Sequence, residues 1–297
     1  MRSSNVAKNS GAPTVSFVPK RLSVPAVVAL CLLAAPVIWV IGYSLLYSTG
    51  VIGLFSDQWT MKHWHAAFRS GSALKCLAYS GAISAIVTAL SIVVSMAFVL
   101  LAPEARCSSS LSAMLCVPLA TPAIVMAFLI YQLMNPGGVL ARLCFQAGII
   151  DSTTDFPVLV NDSWAVGIVV ASFFSQCPLL ILYFFRIWSS ARIDRYCRLA
   201  VELGASVRQA RLRVAAPMLF QRGKPLFLLG FLWTMGSYEI PLLLGVQFPM
   251  MSSVLIQKRS GQFNLLERPE AFVHASVYFA FVSLGLVLFL LPRRRHV

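Results

Sequence analysis

The chain has 297 residues, of which 58% are hydrophobic and 11% charged, and its formal net charge is +14. Soluble domains carry roughly 25% charged residues, so there is too little polar material here to coat a water-soluble globule. The apolar residues come in long unbroken runs, which favours spanning α-helices over the alternating strands of a membrane barrel.

Residues 1–21 contain Ser, Asn, Gly and Pro with Lys8, Lys20 and Arg21, and read as a basic cytoplasmic tail. The first predicted span covers 22–47. A signal peptide is the alternative for this run, but it exceeds the apolar core of about 7–15 residues that such peptides carry. Trp59, His63, Trp64 and His65 follow, and read as an interfacial aromatic helix rather than a metal site. The segment 22–74 is thus one span and an outer loop. Further apolar runs cover 75–102, 111–134, 164–188, 226–245 and 272–291, followed by a basic tail over 292–297. The predicted fold is an all-α polytopic membrane protein of about six transmembrane helices.

Charge sets the orientation. The two tails and the loops after the second and fourth runs hold 17 of the 24 Lys and Arg against Glu104, Asp194 and Glu202. The opposite loops hold seven basic and seven acidic residues, so the whole net charge of +14 lies on one face. Positively charged loops stay in the cytoplasm, which places both termini inside. The basic character is therefore topological, and no nucleic-acid role is expected.

Of the seven cysteines, Cys31, Cys76, Cys116 and Cys177 lie in apolar runs, and Cys107 and Cys197 in cytoplasmic loops. Only Cys144 is outside, so no intrachain outer disulfide is predicted, and no CxxC pair suggests a metal site.

The loop over 186–224 is the one cytoplasmic connection long enough to fold. Leu199, Leu203, Val207 and Ala210 recur at helical spacing, with Arg198, Glu202 and Arg208 on other faces. Gly204 permits positive φ and would end one short helix and open the next. Pro217 marks the expected return toward the bilayer. The prediction is a helix–turn–helix on the cytoplasmic membrane face.

This loop resembles the EAA loop of permeases from binding-protein-dependent ABC importers, E-A-A-x3-G-x9-I-x-L-P. The matching positions are Arg198-Leu199-Ala200, then Gly204 after three residues, then Val214 after nine, then Ala216-Pro217. Arg198 stands where the family has Glu, Leu199 where it has Ala, and a Glu occurs at Glu202 instead. Leu203-Gly204-Ala205 is similar to the motif's centre. Leu119-Ala120-Thr121-Pro122-Ala123-Ile124-Val125 resembles the third-span signature, and Gly137-Gly138-Val139-Leu140 the turn that follows it. Gly236-Ser237-Tyr238-Glu239-Ile240-Pro241 resembles the fifth-span end in the polyamine-permease subfamily.

The resemblance implies a type I importer transmembrane domain over 75–291 with a coupling loop over 189–222. It implies that Arg198, Leu199, Ala200, Glu202, Leu203, Gly204, Ala205, Arg208 and Pro217 contact an ABC ATPase. The implied partners are the ATPase dimer, a second permease, a periplasmic or lipid-anchored solute-binding protein, and lipid. The implied location is a bacterial inner membrane. The implied solute is polyamine-like or another small polar molecule or cation.

No cofactor is expected on this chain, because its one Gly-Lys pair, Gly223-Lys224, is followed by Pro225 and forms no P-loop. No catalytic set stands out, and no enzyme activity is expected. Ser237, Tyr238, Glu239 and Pro241 form a polar, kinked stretch and are the candidate translocation surface. Glu239 near the outer interface, paired or snorkelling, is the alternative for that stretch. A stand-alone secondary transporter and a non-transporting scaffold remain open as alternatives.

Overall fold

Helices form where the apolar runs predict them, because a backbone in lipid must satisfy its own hydrogen bonds. The structure is a computed structural model that describes residues 24–53, 58–245, 249–261 and 267–290, with backbone alone at Arg106, Cys107 and Leu290. The two basic tails lie outside the described residues. In chain order the helices are α1 (Val24–Ser48), α2 (Lys62–Arg69), α3 (Ser72–Leu101), α4 (Ser109–Ala120), α5 (Ala123–Met134) and α6 (Val139–Gln146). Then come α7 (Val166–Ser190), α8 (Ile193–Glu202), α9 (Val207–Ala210), α10 (Ala216–Gly236), α11 (Glu239–Leu244), α12 (Ser252–Gly261) and α13 (Arg268–Leu290). No strand occurs among the described residues, and the chain is an all-α polytopic membrane protein.

Five segments are long and apolar enough to cross a membrane: α1, α3, the stretch Ala123–Gln146, α7 and α13. The third predicted run is not one helix. It breaks at Thr121–Pro122 into α4 and α5, because Pro122 has no N–H to donate and forces Thr121 into an extended conformation, ψ 124°. The Val117 carbonyl accepts from both the Thr121 N–H at 3.2 Å and Thr121 Oγ1 at 2.8 Å, which closes the last turn of α4.

The fifth run departs from expectation. Its helix starts at Ala216 rather than at 226, takes in Arg222, Lys224 and Pro225, and ends at Gly236. Tyr238 then precedes the separate short α11. α10 is not among the five apolar spans, since its first half is charged.

The chain divides into two units, 1–43 and 44–297. The first is described here by most of α1, an apolar helix with Pro36 inside it. In the second, Ser44 Oγ meets Ser276 Oγ at 3.1 Å and donates to the Phe272 carbonyl at 3.2 Å. The Tyr47 and Phe272 rings lie 4.4 Å apart.

α7 is the central helix of the second unit. Toward its N-terminus Ile168 and Ala171 join a core with Ile83 and Val87 of α3, Ile130 of α5 and Leu244 of α11. Toward its C-terminus Leu180, Phe184 and Trp188 join a second core with Val99 of α3 and Leu219 of α10. The start of α7 is capped by Asp162, which accepts from the Trp164 and Val166 N–H groups.

The face of α3 that is buried carries Ser80, Ser84, Thr88, Ser91 and Ser95. Lipid tails are as apolar as leucine, so helices associate through small residues and hydrogen bonds instead. Ser95 Oγ donates to the Cys177 carbonyl of α7 at 3.1 Å. Ser80 Oγ accepts the Ser252 N–H at 2.7 Å, which ties the start of α12 to the same seam.

Candidate functional site

Two regions stand out: an uncovered helical hairpin and a cavity at the helix breaks. The first is the connection from α7 to α10. Arg192 adopts φ 51° and turns the chain between α7 and α8. Trp188 Nε1 donates to Asp194 Oδ1 at 2.7 Å across this corner. Asp194 also sits in the first turn of α8, where the helix dipole favours a carboxylate.

α8 ends in a Schellman motif. The Gly204 N–H donates to the Val201 carbonyl at 2.9 Å, and the Ala205 N–H to the Ala200 carbonyl at 3.0 Å. Gly204 has φ +94°, and a Cβ there would meet nothing within 4 Å, so only the backbone conformation requires glycine. Ser206 and Gln209 then form a reciprocal capping box that starts α9.

The helical hairpin expected around Gly204 is therefore present, with one correction. There is no turn at Pro217. The helix runs on from α9 through a π-helical stretch, Arg211–Ala215, into α10, with Pro217 in the first turn of α10. Pro217 cannot donate to the Arg213 carbonyl, and a widened turn is the local answer to that missing bond.

Of the residues assigned to coupling, Arg198, Leu199, Glu202, Leu203, Gly204, Arg208 and Pro217 are exposed, while Ala200 and Ala205 are half-buried. Leu203 is 88% exposed, and Leu199 and Val207 stand uncovered nearby. α8 buries only Ile193. An exposed apolar stripe of this kind, rimmed by charge, marks an interaction surface. Beside it lies a groove of about 690 Å³ lined by Glu104, Asp194, Arg198, Glu202 and Arg211 among others.

Sequence reasoning missed Arg211. Its Nη1 donates to the Leu100 and Leu101 carbonyls at 3.1 and 3.2 Å, and its Nη2 reaches Glu104 Oε1 at 3.4 Å. It thereby caps the C-terminus of α3, where a cation is favoured. Only the partner's distance in space reveals this, because 111 residues separate Arg211 from Leu100. Cys197 packs inside the hairpin, with Sγ 3.9 Å from the Ala210 carbonyl. Burial raises its thiol pKa, the nearby Asp194 carboxylate raises it further, and Arg211 opposes the shift.

The second region lies among α4, α5, α7, α10 and α11. A cavity of about 290 Å³ opens where both interrupted helices break, with Thr121 from one break and Ser237 from the other in its wall. Irregular backbone at membrane depth is tolerated where it is buried in protein or lines a cavity. Gln176 of α7 and Gly230 of α10 face each other there.

The candidate translocation residues do not lie on one surface. Ser237 lines the cavity, whereas Glu239 is exposed and outside its wall. Pro241 is buried, and Tyr238 packs against the first core. The Ser237 carbonyl accepts from Ser253 Oγ at 2.5 Å, which anchors the break to α12.

His63 lies on α2, where burial lowers its pKa, with Glu270 opposing and Lys62 adding to the shift. Among the described residues no group of three or more metal-ligating side chains gathers. The chain matches no protein-family model and no curated protein sequence.

Proposed function

We propose that this chain is the membrane-spanning permease subunit of a binding-protein-dependent ABC importer in a bacterial inner membrane. The α8–α9 hairpin is its coupling element, and a separate ATPase supplies the energy. A second permease completes the pathway, and an outer binding protein delivers a small polar solute.

The observation that carries this reading is the uncovered hairpin. The short amphipathic helix α8 buries only Ile193, and the hairpin leaves Leu199 of α8, Leu203 at its C-cap and Val207 of α9 open beside a row of arginines. A helix with exposed apolar anchors suits a groove on a partner. Both ends of the hairpin are tied to long helices, through Trp188–Asp194 on α7 and through the continuous helix into α10. Movement of a docked partner would therefore be passed to α7 and α10 as a rigid-body displacement.

The test is affinity capture of the tagged full-length chain from mildly solubilised native membranes, with Gly204→Pro alongside. Wild type is expected to retain a subunit with ATPase activity, and the variant to lose it while still inserting. Wild type without any ATPase under mild conditions overturns the reading. The cavity between two interrupted helices also suits a transporter working alone. Solute uptake by the purified chain in ATP-free proteoliposomes would favour that second reading.

A further inference from the structure

The cavity between the two helix breaks has chemistry of its own. Its wall is mostly apolar, with Leu119, Leu179, Leu229, Trp233 and Ile240 contributing, and no ionisable side chain among the described residues lines it. At about 290 Å³ it is near the lower end of small-molecule sites, roughly 300–1,000 Å³. Gln176 is residue 11 of the 25 in α7, so it lies near the middle of a spanning helix.

Gln176 is 6% exposed and yet incompletely paired. Thr234 Oγ1 donates to its Oε1 at 3.4 Å, while Nε2 has no acceptor. Nε2 rests directly over Gly230, at 1.8 Å from where a Cβ would stand. Gly230 thus makes room for the amide that Gln176 brings in. A buried donor left unfilled is unfavourable, and leucine at the same place would avoid the penalty. Such a group calls for an explanation, and an absent ligand is one.

We infer that this cavity is a subsite for a small uncharged solute carrying a carbonyl or hydroxyl oxygen on an apolar body, and that Gln176 recognises that oxygen. The terminal amide torsion of glutamine is soft, so Nε2 can turn from Gly230 to an oxygen entering the cavity. An ammonium solute is disfavoured, because no carboxylate among the described residues of the wall would pair it and an unpaired buried charge is costly. This departs from the polyamine-like solute implied by the resemblance. The inference rests on the transport reading, but its test uses no ATPase, so the two can fail separately.

The test is saturation-transfer NMR on the full-length chain in an alkyl-glycoside detergent, with N-butylacetamide and butylammonium as probes of similar body. N-butylacetamide is expected to bind, and Gln176→Leu to weaken it roughly five- to tenfold, the loss of one hydrogen bond. With Thr234→Val added, which removes the hydroxyl bonded to Gln176, the same variant is expected to unfold at an equal or higher temperature, which a merely structural glutamine would not allow. Leu179→Trp, at an exposed rim position, should fill the cavity and abolish binding without disturbing the core. Equal or tighter binding of butylammonium, or unchanged binding in both variants, overturns the inference. So does loss of the signal on transfer to phosphatidylcholine nanodiscs, which would mean that a lipid ester carbonyl occupies the site.

Discussion

Trp188 Nε1 donates to Asp194 Oδ1 at 2.7 Å, and the indole is 2% exposed, so a buried donor meets a carboxylate across the corner where α7 becomes α8. Hydrogen bonds to charged groups contribute about 1.5–3 kcal/mol. Trp188→Phe keeps an aromatic ring in the core and removes the donor. It is expected to cost about 2 kcal/mol, measured by thermal unfolding in detergent. An unchanged transition would mean that packing alone holds the corner.

Arg211 bridges the hairpin to the end of α3 through two backbone carbonyls. Arg211→Ala should cost about 1–2 kcal/mol and speed hydrogen exchange in the last turn of α3. Glu104→Gln should change stability by less than about 0.5 kcal/mol, because that ion pair spans 3.4 Å and the Glu104 side chain is 79% exposed. Equal losses in the two variants would shift the role from capping to the ion pair.

The thiol of Cys197 sits among burial and two opposite charges, so the signs can be tested one at a time. Its maleimide reaction should rise with pH about a midpoint above that of an ordinary thiol. Asp194→Asn removes a negative charge that disfavours the thiolate, and should lower the midpoint. Arg211→Gln removes a positive charge that favours it, and should raise the midpoint. A variant carrying Cys197 alone makes the measurement clean. Midpoints that move in the opposite directions would show that these charges do not act on the thiol.

His63 has a lowered pKa, chiefly from burial. The unfolded chain then binds a proton more readily, with an ordinary histidine value near 6.5. Its contribution to stability is therefore full above that value and lost as pH falls through the lowered folded value. His63→Gln should flatten the acid side of the unfolding-temperature profile. A profile identical to wild type would remove His63 from that role.

Gly230→Ala places a methyl group 1.8 Å from Gln176 Nε2, the free end of a side chain that can turn into the cavity, so the loss should stay below about 1 kcal/mol. Adding Gln176→Ala should recover most of the loss. Additive effects in the double variant would mean that the two residues do not press on each other.

Local chemistry carried much of this protein. Hydropathy alone located α1, α3, α7 and α13 to within a few residues, because a span in lipid needs a length of apolar chain and little else. Gly204 was legible too, since the turn after α8 needs a positive φ that glycine supplies. The tertiary structure decided the rest. Pro122 announces a kink, but only the fold shows that its break and the one at Ser237 open onto the same cavity. Pro217 suggests a turn, yet the helix passes through it by widening, with Ala215 and Leu219 on either side buried in the second core. Gln176 with Gly230, and Arg211 with Leu100, are pairings across 54 and 111 residues that no local pattern in the chain records. Hydropathy is a property of neighbours along the chain, whereas a satisfied or empty hydrogen bond is a property of neighbours in space.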